Sequence, residues 1–188
     1  MKLDSELEER LKAKAFKFLE KGTPGWDVLH TIASVYWMRR LIEKEGGNEK
    51  VLVTVMYLHD IGYYNLIREE YGFDEVWAVK KDHMIKGAKE SEKILRELGY
   101  SEDEIKEIVH LVFIHDKLDQ LSTYNEILVM EADSLAQIDV EKVKPTFDKE
   151  NYLKFLEHFE KERVPRFKTK TGKEFLPKLL DKAKHYFN

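Results

Sequence analysis

Apolar residues recur at spacings of three and four along most of this chain, the period of helices with one buried face. Ser5-Glu6-Leu7-Glu8 has the form of a capping box and predicts a first helix to about Lys21. Gly22-Thr23-Pro24 is a break and a restart, with Thr23 as N-cap and Pro24 at the first helical position. The second helix then runs to about Glu45, where Gly46-Gly47 stops it, and a third spans about Glu49 to Asp60. Asp82 is a cap for a fourth helix ending at Gly99, and Ser101-Glu102-Asp103-Glu104 is a capping box for a fifth, to about His115. Ser122 starts a sixth, through Leu128, Leu135 and Ile138. After Pro145 two amphipathic segments remain, about 148–163 and 172–187.

Two stretches depart from this pattern. Residues 62–82 are aromatic and charged without a clear period, long for a connection, with room for one short helix; long loops in compact domains are often functional. Val51 to Val55 is β-branched and reads as a strand in isolation, but its neighbours are helical and no second strong strand exists to pair with it. The expectation is an all-α helical bundle of roughly six to eight helices.

The chain has 188 residues, which fits a single domain over 1–188. Lys and Glu dominate a 36% charged content while Gln appears only at Gln120 and Gln137, a usage that resembles thermophilic proteins. Net charge is -4, so no basic field draws the protein to nucleic acid. Absence of Cys removes disulfides, thiolate metal ligands and a Cys nucleophile. The acidic, polar start is unlike a signal peptide, and no apolar run approaches the roughly 18 residues of a membrane span. A soluble, cytoplasmic protein is expected.

Candidate chemistry begins at His59-Asp60, a His and a carboxylate closing the third helix, a pair suited to Zn, Mn, Fe or Ni. A catalytic metal usually takes three or more protein ligands, so the pair needs partners. Four His fall on inner faces or ends of successive helices: His30, His59, His83 and His115. Asp133 follows Val129 and Met130 on or near an apolar face of the sixth helix, where a carboxylate needs a strong partner such as a cation.

The order His, His-Asp, His, His, Asp, with about one contribution per helix, resembles the HD-domain superfamily of metal-dependent phosphohydrolases. Leu58-His59-Asp60-Ile61-Gly62 is similar to the family's central motif, His83-Met84-Ile85-Lys86-Gly87-Ala88 to its third segment, and Glu131-Ala132-Asp133-Ser134-Leu135 to its last. The resemblance covers about residues 24–140, leaving 1–21 and 148–188 as flanking helices.

It implies that His30, His59, Asp60 and Asp133 hold a core metal. It further implies that His83 and His115 bind a second metal, bridged by Asp60, or contact phosphate. Implied cofactors are one or two divalent ions, Mn, Fe, Ni, Co, Zn or Mg, and the implied substrate is a small phosphate ester or anhydride, with a nucleotide expected. The chain lacks the His-His-Glu and Gly-Tyr-Pro signatures of the cyclic di-GMP branch. Tyr63-Tyr64-Asn65 stands where some nucleotidase and alarmone-hydrolase members carry acidic residues, so neither activity is expected. Two other readings stay open: a di-iron member cleaving C–C or C–P bonds with O₂, and a catalytically silent nucleotide or metal sensor. A homodimer through the flanking helices is a further expectation.

Beyond the ligands, Lys86 shares a helical face with His83, and Lys117 lies just past His115; both are expected to meet phosphate alongside the catalytic Asp60. Tyr63, Tyr64, Arg68, Tyr71 and Trp77 are candidates to cover a substrate. His110, about 140° around its helix from His115, should face elsewhere. His158 and His185 are expected to be solvated, and the basic stretch Arg163–Lys173 to be an exposed linker.

Overall fold

A computed structural model of the chain describes residues 1–68 and 70–187. Among these residues there are nine α-helices and no strand: α1 (Ser5–Leu19), α2 (Asp27–Glu45), α3 (Glu49–Leu58), α4 (Phe73–Ala78), α5 (Lys80–Leu98), α6 (Glu102–Ile114), α7 (Tyr124–Ile138), α8 (Lys149–Glu162) and α9 (Lys170–Lys184). Short 3-10 turns occupy Ile61–Tyr63 and Val164–Arg166. The all-α expectation holds, with one helix beyond the expected upper bound. The additional helix is α4, inside the aromatic stretch that showed no period.

At the centre lies α3. Every residue from Val51 to Leu58 is buried, because α1, α2, α6 and α7 surround this helix. A helix covered on all sides has no polar face to set a period. That is why its β-branched run resembles a strand when read alone. Around it, α2 packs along α7 and α5 along α6.

Helix starts differ from expectation by a few residues, each for a local reason. Asp4, rather than Ser5, caps α1, accepting from the Glu6 and Leu7 amides at 3.0 Å each. The second helix starts at Asp27 instead of Pro24. Gly25 is left-handed there (φ 72°), and Asp27 folds back so that its Oδ2 accepts the Thr23 amide at 2.8 Å. Fourth in the expected order, α5 begins at Lys80, two residues before Asp82, and Gly99 in the left-handed region (φ 79°) ends it as expected. The capping box of α6 forms as read, with the Ser101 amide donating to Glu104 Oε2 at 3.0 Å.

The basic stretch after α8 is not a solvated linker. Arg163 is 2% exposed, and Thr169, Thr171 and Gly172 are also buried. Buried Glu131 of α7 accepts from the Lys168 amide, the Thr169 amide (2.9 Å) and the Thr169 hydroxyl. Glu45 accepts from the Thr171 amide at 2.7 Å and its hydroxyl at 2.6 Å. Two carboxylates thus tie the start of α9 to α7 and α2. None of the described helices is long and apolar enough to cross a membrane.

Candidate metal centre

Five helices and one 3-10 turn bring six side chains to one point. His30 comes from the first turn of α2, and His59 caps the C-terminus of α3. Asp60 follows as the N-cap of the 3-10 turn. His83 lies in the first turn of α5, His115 caps the end of α6, and Asp133 is in the middle of α7. All six are buried.

The contacts sort into two groups that share Asp60. In the first, His30 Nε2 lies 3.2 Å from His59 Nε2, 3.0 Å from Asp133 Oδ1 and 3.4 Å from Asp60 Oδ2. His59 Nε2 lies 3.2 Å from Asp60 Oδ2 and 3.6 Å from Asp133 Oδ1. In the second, His83 Nε2 and His115 Nε2 are 3.3 Å apart, and stand 3.6 and 3.7 Å from Asp60 Oδ1. Each carboxylate oxygen of Asp60 therefore faces a different group.

The donor chemistry suits a cation in each group. Backbone carbonyls can only accept. The His59 Nδ1–H must therefore donate to Met56 (2.8 Å) and the His115 Nδ1–H to Val112 (2.7 Å), turning their Nε2 lone pairs inward. Inside the first group, the His59 lone pair meets another imidazole and two carboxylates. Ligands about 2.1 Å from a shared ion at right angles sit about 3 Å from one another, close to the spacing seen.

The electrostatics say the same. Burial opposes charge on His59, but the carboxylates of Asp60 and Asp133 outweigh it and raise its pKa well above the ordinary value. Burial likewise opposes ionised Asp60 and Asp133; His59 chiefly holds Asp60 well below the usual carboxylate range, and Arg163 chiefly does so for Asp133. The centre calls for positive charge, which a divalent ion supplies while displacing the proton. In the second group, burial and the neighbouring His115 push His83 down to about 3, which leaves it neutral and able to bind a metal.

Around the six lies a shell the sequence reading did not single out. Arg163 donates to Asp133 Oδ2 at 2.9 Å, to the Ser134 hydroxyl at 2.7 Å and to Asp116. Lys80 Nζ pairs with Asp116 Oδ2 at 2.7 Å. Gln137 donates to both oxygens of Asp133, at 3.0 and 3.1 Å. Asp27, buried and near Asp60, is pushed up to about 7 by burial first and by that charge second. Lys80 had a signal, since it lies three residues before His83 on the same face. Arg163, in a charged stretch 30 residues past Asp133, had none.

The expected lysines lie elsewhere. Lys86 donates to the Tyr64 carbonyl and its Nζ sits 3.4 Å from the Tyr64 ring centroid; Lys117 Nζ sits 3.3 Å from that of Phe113. Neither lines the cavity that opens onto His30, Asp60, His115 and Asp133, whereas Lys80 does. Tyr63 lines it and stacks on His83, centroids 3.9 Å apart. Tyr64 packs edge-on against Phe18 instead, and Arg68 and Tyr71 line a separate neighbouring pocket. His110 faces away as expected, 2.7 Å from Glu126. His185 is exposed, but His158, expected in solvent, lines the cavity against Trp77.

The family model of the HD domain matches residues 28–138, more than half of the chain. Comparison with proteins of curated function returns no match. Among solved structures the fold is similar to a predicted HD superfamily hydrolase from an uncultured Thermotogales bacterium. The identity is 16%, the TM-score 0.56, and the match covers 96% of this chain and 90% of that one. The chain belongs to the HD domain family, a family of metal-dependent hydrolases.

Proposed function

We propose that the protein is a metal-dependent phosphohydrolase acting on a small phosphate ester or anhydride, a nucleotide being the favoured class. The observation that carries this reading is the pair of donor groups sharing Asp60, opening onto a cavity with Lys80 on its wall. His30, His59, Asp60 and Asp133 hold one ion, and Asp60, His83 and His115 a second. When bound, such ions lower the pKa of coordinated water and neutralise phosphate oxygens.

The remaining work belongs to the chain's own residues. Lys80 directs a cation into the cavity beside His115 and Asp116, where an anionic substrate gains charge-assisted contact. Tyr63 fixes the ring plane of His83, and the Met56 and Val112 carbonyls fix the tautomers of His59 and His115. Aromatic walls limit water around the anion, which strengthens each polar contact there. Lys86 and Lys117 have no part in this reading.

Phosphatase and phosphodiesterase assays with Mn, Co, Ni or Fe, on wild type and Asp60→Ala, test it. The variant should lose activity by at least about a hundredfold and bind neither ion fully. Equal metal content and turnover in the two proteins sinks the proposal. Elemental analysis should give two ions in wild type and one in His115→Ala.

The four imidazoles and one carboxylate around the bridging Asp60 also suit two irons, which favours an O₂-dependent second reading. Turnover of a phosphate ester without O₂ decides against it.

A further inference from the structure

Helix α4 has no buried residue, yet its three large apolar side chains Phe73, Val76 and Trp77 share one face and all line the cavity. A six-residue helix has negligible stability alone, so this face needs something to pack on. Trp77 is nevertheless 40% exposed. Opposite stands the inner face of α8, with Tyr152, Phe155 and His158. The two walls touch where the Trp77 and His158 rings meet edge-on, centroids 4.0 Å apart. Lys80 Nζ, 4.1 Å from the Trp77 ring centroid, joins this aromatic end to the anionic end beside Asp116.

Two polar atoms on these walls have no partner. His158 Nε2 is buried without a hydrogen bond, and so is the Tyr152 hydroxyl. Burial and the nearby Lys80 hold His158 below its ordinary pKa, so it is neutral and one ring nitrogen accepts while the other donates. Buried groups of this kind are normally satisfied. An occupant that covers the aromatic surface and reaches these atoms with a hydrogen-bonding edge would satisfy both features of the walls. An alkyl chain covers the walls but leaves His158 unpaired, and a sugar lacks the flat apolar face.

We propose that Trp77 and His158 are specificity-determining residues that bind a planar heteroaromatic ring carried on the leaving group of the substrate. The proposal rests on the phosphate-ester reading and assigns ring recognition to α4 and α8. Of these, α8 lies wholly outside the residues matched by the family model.

The test is isothermal titration of the full-length, metal-loaded protein with phosphonates, which cannot be hydrolysed: one bearing adenosine, one ribosyl and one hexyl. The adenosine compound should bind at least about tenfold more tightly than the other two, the scale of one base stacked on an aromatic ring. Trp77→Ala should abolish that advantage while leaving ribosyl affinity within about twofold, and Trp77→Phe should restore most of it. His158→Phe, which keeps the packing, should weaken only the adenosine compound. Equal affinity for the three ligands overturns the proposal, as does hexyl phosphonate matching the adenosine compound or Trp77→Ala weakening all ligands alike. The ring preference without turnover of any phosphate ester supports the ring site while rejecting the hydrolase reading. Turnover with no ring preference does the reverse.

Discussion

Arg163 donates to Oδ2 of Asp133 at 2.9 Å, while Oδ1 of the same carboxylate faces His30 at 3.0 Å. Oδ2 is held by the C-terminal segment, while Oδ1, which also accepts from Gln137, faces the imidazoles of the first group. Both side chains are 2% exposed, so removing the arginine leaves buried negative charge with less compensation. Loss of one partner from a buried ion pair costs about 3–5 kcal/mol. Arg163→Met should therefore lower Tm by roughly 10 °C. Added divalent metal should recover part of the loss, because the ion supplies charge to the same carboxylates. Calorimetry with and without metal reads both effects, and an unchanged Tm would refute the role given to Arg163.

Much of this architecture is legible residue by residue. The capping box Ser101–Glu104 and the terminator Gly99 act within one turn of chain, so local pattern suffices to find them. The six clustered side chains are legible as an ordered set, since the four His and Asp133 each stand at an end or inner face of a separate helix and Asp60 directly follows His59. Arg163 is not legible, because its meaning depends on the residue after α8 reaching Asp133 of α7, and a charged segment reads as exposed. Lys86 misleads for a related reason. It and Lys80 both lie one turn from His83, on opposite sides, and only the fold decides which reaches the cavity. His158 belongs with Arg163, as its surroundings are assembled from α4 and α8, 80 residues apart at Ala78 and His158.

The helix that carries Asp133 starts at a carboxylate whose charge matters. Glu126 Oε2 accepts the Ser122 and Thr123 amides at 2.6 and 2.8 Å, and Oε1 lies 2.7 Å from His110 Nε2. Burial raises its pKa, but the two amides and His110 outweigh that and bring it from 4.5 down to about 2. A depressed carboxylate adds stability above its unfolded pKa, and that contribution is lost as pH falls through the folded value. Glu126→Gln should therefore cost about 2–3 kcal/mol near pH 6, shrinking steadily between about pH 4.5 and 2. Urea unfolding of both proteins at pH 6 and pH 3 measures the difference. An equal cost at the two pH values would show that geometry, not charge, is what Glu126 contributes.

Close approach of two backbones sets the spacing between Asp60 and His83. A β-carbon on Gly62 would lie 1.9 Å from the His83 carbonyl oxygen and 2.6 Å from the Gly87 amide nitrogen. Both are backbone atoms, so no side chain can swing aside, and the 3-10 turn must move off α5. Gly62→Ala should cost about 3 kcal/mol by overpacking. It should also widen the 3.6 Å gap from Asp60 Oδ1 to His83 Nε2, releasing the second ion before the first. Gly87→Ala is the contrasting case. Its β-carbon meets nothing nearer than 3.4 Å, and alanine gains up to about 1 kcal/mol over glycine within a helix. That variant should stay within about 1 kcal/mol of wild type and keep both ions. Thermal unfolding with elemental analysis separates the two. If Gly62→Ala keeps wild-type Tm and metal content, the Gly62 contact does not set the distance between Asp60 and His83.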